Sequence, residues 1–125
     1  MKNILITGAT GFIGSRLLLE LKRQSSKLKV KGERGRLEAP KIKILSRNPH
    51  HNYETVVCDL LSEEVPDGSL EEVDTIYHLA GYAHDLRDAT SVENRYQAIN
   101  VEATIQLAKL AVEHGVKRFS FVSSV

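Results

Sequence analysis

Tryptophan is absent, cysteine occurs once, proline three times, and neither sign of charge prevails in this chain. The lone Cys58 excludes an internal disulfide, and no Cys/His cluster has the spacing of a metal site. With 17 basic against 16 acidic residues the net charge is +1, so no global field draws nucleic acid or an anionic membrane. Any anion must be bound locally. No stretch approaches the roughly 20 apolar residues that cross a bilayer. The early apolar run of Ile4, Leu5 and Ile6 breaks at Gly8, unlike a signal peptide. A cytoplasmic protein that binds neither nucleic acid nor membrane is expected. Repeats and low-complexity linkers are lacking too, which leaves one globular domain: 125 residues, 42% hydrophobic and 26% charged.

What is present is an alternation of short apolar runs and helical patterns. Residues 3–7 read as a buried strand, and Ile13, Leu17, Leu18 and Leu21 then recur on one helical face. Residues 25–40, charged and containing two glycines, lose that period and read as a loop or insertion. Strands are expected at 41–45, 55–59, 73–81 and 117–125. Ser69 with Glu72 resembles a capping box that starts a short turn of helix. A long helix is expected from Ser91 to His114, capped by Gly115. Strands alternating with helices argue for a parallel sheet covered on both faces.

The stretch ILITGATGFIG joins the first strand to the first helix through Gly8, Gly11 and Gly14. Such a turn aims the helix's unpaired N–H groups and positive dipole end at a phosphate, where side chains would obstruct the approach. Gly8 permits the tight turn, Gly11 lets backbone lie against a pyrophosphate, and Gly14 lets the helix lie close on its strand. The bland alternative is a turn and a close helix contact with no ligand.

TGATGFIG, CDL at 58–60, HLAG at 78–81, INVEATIQLAKLA at 99–111 and GVKRFSFVSSV at 115–125 fall in that order. Together they resemble the extended short-chain dehydrogenase/reductase superfamily, most closely its NAD-dependent epimerase/dehydratase branch, which includes UDP-sugar 4-epimerases. The resemblance spans the chain outside residues 25–40. It implies an α/β fold, a Rossmann-type doubly wound parallel sheet ordered 3-2-1-4-5, cut after the fifth strand and binding NAD or NADP at the carboxyl ends of its strands. It also implies a nucleotide-sugar substrate in the complete enzyme, with a homodimer as a further expectation.

By the same resemblance, cofactor contacts fall on Gly8, Thr10, Gly11, Phe12, Ile13 and Gly14. They fall also on Asp59 and Leu60 near the adenine, and on Leu79, Ala80 and Gly81 beneath a ribose. Asp59 would accept a hydrogen bond from the adenine amino group; otherwise it caps a turn. The second strand ends in Ser46 and Arg47 where an NAD enzyme would place a carboxylate. Arg47 therefore either faces a 2′-phosphate or is a solvated charge. Asn100 interrupts the apolar stripe of its helix and needs partners, since burying an unpaired amide costs about 1–3 kcal/mol. The resemblance gives it a water that links the catalytic lysine to solvent; a neighbouring backbone group is the alternative. Ser124, with Ser123 as competitor, matches the family's hydroxyl on the reacting substrate oxygen. His78 reads as a satisfied core histidine, and His50 and His51 as turn residues.

The chemistry implied, hydride transfer to and from a sugar carbon, uses a tyrosine whose phenol is made acidic by a lysine four residues on. The four tyrosines Tyr53, Tyr77, Tyr82 and Tyr96 are followed at that distance by Val57, Gly81, Leu86 and Asn100. The chain is therefore expected to be an N-terminal, dinucleotide-binding part, inactive by itself. A non-catalytic NAD(P)-binding sensor or interaction module is the alternative.

Overall fold

The computed structural model describes residues 3–31, 41–60, 62–79 and 91–122, with side chains left out for 25–31 and 91–100. The elements run β1 (Ile4–Thr7), α1 (Phe12–Lys31), β2 (Ile42–Ser46), β3 (Glu54–Val57), β4 (Thr75–His78), α2 (Ser91–Glu113) and β5 (Arg118–Phe121). The strands form one five-stranded sheet ordered β3-β2-β1-β4-β5, and every neighbouring pair is parallel. This is the doubly wound topology, with β1 at its centre.

Successive side chains of a strand point to opposite faces, and both faces are apolar here. Ile4, Ile6 and Ile44 pack with Leu18 of α1, while Leu5, Leu45 and Ile76 pack with Ala103, Leu107 and Ala111 of α2. That two-sided burial explains why the strands read as unbroken apolar runs. Leu60, Val65, Leu70 and Val73, between β3 and β4, add to the α2 layer. Gly115, at φ 71°, ends α2: its N–H donates to Val112 O at 3.2 Å, and the N–H of Val116 to Ala111 O at 2.9 Å. This left-handed C-terminal cap turns the chain into β5.

Three expectations need correction. α1 continues through Lys31, into the stretch read as a loop from residue 25. Leu17, Leu18 and Leu21 anchor its first turns on the sheet, and neither glycine nor proline follows Gly14 until Gly32. The helix therefore continues although the amphipathic period is lost. Residues 32–40 lie outside the described residues. The strands at 73–81 and 117–125 pair over four residues each. β1 sets that length, because Gly8 at φ 73° leaves the extended region directly after Thr7. Ser69 and Glu72 start no helix: the Ser69 hydroxyl donates backwards to Pro66 O at 2.5 Å, and Glu72 stands at φ 62°.

Candidate dinucleotide-binding site

The turn from β1 into α1 is closed by its own backbone. The N–H of Gly11 donates to Gly8 O at 3.1 Å, and Ser15 N–H to Gly11 O at 2.9 Å, which starts α1. The two later glycines serve opposite ends. A Cβ on Gly14 would overlap the carbonyl oxygen of Gly8 and stand 2.8 Å from Ala9 Cα, so packing of helix against turn demands glycine there. A Cβ on Gly11 would meet only Gly8 O, at 3.4 Å, and Gly11 is not among the positive-φ residues. Among the described residues nothing requires a glycine at 11. The space a side chain would take opens instead into a cavity that Gly8, Thr10 and Gly11 line. Free N–H groups at the start of a 20-residue helix beside a gap kept clear of side chains fit a diphosphate.

The cavity, about 450 Å³, runs across the carboxyl ends of four strands. From the turn it passes Leu45, Ser46, Arg47 and Asn48 at the end of β2, then Cys58, Asp59 and Leu60 at the end of β3. Cys58 N–H donates to Ser46 O at 2.8 Å and ties those two ends together. Pro49, His50 and His51, in the β2–β3 connection, complete that wall, with the imidazoles stacked at 5.0 Å and 6°. Burial first, then the charges of Glu63 and Asp59, pushes the Cys58 thiol up, so this wall presents a neutral sulfur.

On the other side His78 and Leu79 close the cavity at the end of β4, with Ala103 of α2. His78 is 2% exposed. Its Nδ1 lies 2.7 Å from Thr7 Oγ1 and its Nε2 3.0 Å from Thr104 Oγ1, and Phe121 stacks on the ring at 5.4 Å. Thr7 Oγ1 also accepts the N–H of Leu79 at 3.1 Å. Burial lowers the His78 pKa to about 4, so the ring is neutral and fits one hydroxyl on each nitrogen. The core histidine expected from sequence is what the structure contains, and it joins β1, β4 and α2 behind the cavity.

Residues 4–125 match the NAD dependent epimerase/dehydratase family. The chain belongs to that family. It is 30% identical over 125 residues to the UDP-glucose 4-epimerase of Vibrio cholerae, covering 99% of this chain and 35% of that enzyme. It is 33% identical over 132 residues to the dTDP-glucose 4,6-dehydratase of Streptomyces antibioticus, covering 98% of this chain and 37% of that one. A solved structure of MoeE5 in complex with UDP-glucose and NAD superposes with a TM-score of 0.70 at 30% identity, covering 98% of this chain and 36% of its own. The chain thus spans 35–37% of the length of these curated relatives.

Of the residues that the family resemblance singles out, the fold brings Gly8, Thr10, Gly11, Arg47, Asp59, Leu60 and Leu79 to one cavity. Phe12, Ile13 and Gly14 are not among its walls; Phe12 is 75% and Ile13 53% exposed at the start of α1. Ala80, Gly81 and Ser124 lie outside the described residues, and Asn100 is described only as backbone of α2. Sequence reasoning missed the stretch from Asn48 to His51 as cavity wall. Its place just beyond a strand's carboxyl end was the available signal, since open α/β sheets bind ligands there. Thr104 carried no signal, because its role depends on which face of α2 meets His78.

Proposed function

We propose that this cavity binds a nicotinamide dinucleotide, and that the chain is the dinucleotide-binding part of a nucleotide-sugar epimerase or dehydratase. The glycine at 11 carries the reading: its missing side chain serves no contact among the described residues and keeps clear the space in front of the first turn of α1. Gly8, Gly11 and the N–H groups of that turn hold the diphosphate. Thr10 completes the contact along the turn, and Phe12, Ile13 and Gly14, outside the cavity walls, are assigned to the cofactor by the family resemblance alone. Asp59, beside Leu60, accepts a hydrogen bond from the adenine amino group, and Leu79 is assigned to the ribose, as Ala80 and Gly81 are by the family resemblance. The family resemblance assigns Asn100 to a water and Ser124 to the reacting sugar oxygen. The dinucleotide, when bound, supplies a carbon that takes a hydride from the sugar and returns it.

No tyrosine of the chain is followed four residues on by lysine, so turnover by these residues alone is not expected. The same observation supports a second reading, a non-catalytic NAD(P)-binding sensor or interaction module. A homodimer belongs to the proposal, supported by Val101, Ile105 and Val112 exposed along α2; sizing in dilute solution checks it.

Titration calorimetry with ADP, which carries the diphosphate without nicotinamide, tests the cradle. Binding by the natural chain and at least about tenfold weaker binding by Gly11→Ala, at unchanged thermal stability, is expected. Equal affinity in the two proteins would remove the cradle. Joining a segment that carries Tyr-x-x-x-Lys and asking for turnover with a nucleotide sugar then separates the enzyme part from the sensor.

A further inference from the structure

A net charge of +1 hides an uneven distribution. Ten consecutive residues, 22–31, hold five of the 17 basic side chains and none of the 16 acidic ones, so the rest of the chain is net acidic. All ten lie on α1. Cations near the carboxyl end of a helix offset its dipole, but that effect falls off within the last turn. It accounts for Lys29 and Lys31 and does not reach Lys22, Arg23 or Lys27.

The same helix exposes large apolar side chains on the face where a surface helix ordinarily carries polar ones. Leu17, Leu18 and Leu21 pack on the core. That turns Phe12, Arg16, Leu19 and Arg23, spaced four, three and four apart, to the opposite side. Phe12 is 75% and Leu19 62% exposed, and the Arg16 guanidinium lies 4.8 Å from the centre of the Phe12 ring. Arg23 meets Glu20 at 3.7 Å with both side chains more than half exposed, a pair too wet to hold the guanidinium firmly. Lys22 is exposed beside it. Along about 16 Å of helix the outward stripe alternates apolar and cationic groups.

Apolar side chains held out of the core among cations fit the boundary of a bilayer with anionic headgroups. There the acyl layer takes Phe and Leu, and headgroup phosphates take guanidinium and ammonium. Nucleic acid offers the phosphates without an apolar layer for Leu19. We infer that the outward face of α1 docks this chain on an anionic membrane surface, with Phe12 and Leu19 entering the headgroup boundary among Arg16, Lys22 and Arg23. The net acidic remainder of the chain is repelled by that surface, which makes α1 the face that lands. Leu19, Lys22 and Arg23 do not line the cavity, so docking and ligand binding use separate residues, and the inference stands apart from the dinucleotide reading.

Cosedimentation of the 125-residue chain with lipid vesicles tests it. The chain is expected to pellet at low salt with vesicles of equal parts phosphatidylglycerol and phosphatidylcholine, to stay in the supernatant with phosphatidylcholine alone, and to be released from the anionic vesicles by added salt. Lys22→Glu combined with Arg23→Glu is expected to weaken partition to the anionic vesicles at least about tenfold. Leu19→Gln is expected to weaken it about three- to tenfold. Both variants should keep the thermal stability and ADP affinity of the natural chain, because the altered side chains are exposed and lie outside the cavity. No pelleting with anionic vesicles, equal pelleting with neutral ones, or unchanged partition of either variant overturns the inference. So does a DNA duplex that binds the chain more tightly than the vesicles do, which assigns the stripe to nucleic acid. If ADP fails to bind while docking holds, the cradle goes and this inference stands.

Discussion

Two walls of one cavity are built by different means. At the turn from β1 to α1 the surface is backbone, kept bare by Gly8 and Gly11 and backed by a helix end. At the ends of β2 and β3 it is side chains: Arg47, Asn48, two stacked histidines and Asp59. Bare backbone recognises what every dinucleotide shares, and it leaves little freedom for variation. Side chains on a connection can change without disturbing the sheet, so discrimination belongs there. On the proposed dinucleotide reading, general affinity falls to the bare turn and discrimination to the side-chain wall.

The largest effect should come from Gly14→Ala. Its methyl group must displace the Gly8 carbonyl, so more than about 3 kcal/mol of stability is expected to be lost in denaturant unfolding, and both walls with it. A loss comparable to that of Gly11→Ala would dissolve the distinction between a glycine needed by packing and one needed by a ligand.

Acid should act next, through His78. Its folded pKa of about 4 lies below the ordinary 6.5, so between these values the unfolded chain takes up a proton that the folded chain refuses. Stability is therefore full above about 6.5, falls as pH is lowered, and has lost up to about 3 kcal/mol near pH 4. Unfolding measured at several pH values checks this, and His78→Gln should flatten that part of the profile.

The smallest effect is expected from Thr104→Val, which removes one partner of the buried imidazole and should cost about 1 kcal/mol, read by thermal unfolding. Binding of ADP should not move, because Gly8 and Gly11 hold the turn without help from Thr104. A changed affinity would mean that the two sides of the cavity are coupled.

Most of the frame was legible because burial on both faces writes parallel strands as apolar runs, and Gly8 punctuates the first of them. The limits of the strands were not, since each is trimmed by the length of its neighbour. The tail of α1 was hidden because its residues carry no apolar period, although no glycine or proline there breaks the helix. At Ser69 the local signal misled: a hydroxyl followed by Glu72 has other local bonds to make, and the backward bond to Pro66 prevailed. Within the cavity, the places of Gly11 and Asp59 were readable from motif and position. The support behind them was not, because Thr7 and Thr104 acquire their roles only when distant segments meet.

That meeting has a practical consequence. Thr7 and His78 are 71 positions apart, yet their side chains touch beneath the cavity floor. Closing so long a loop costs entropy that only the packed sheet repays, so the complete pocket forms with the sheet and not ahead of it. A half-assembled molecule has no partial version of it to offer. The stoichiometry of nucleotide uptake therefore counts properly assembled molecules in a preparation, and it will register damage to either remote segment as fewer sites rather than weaker ones.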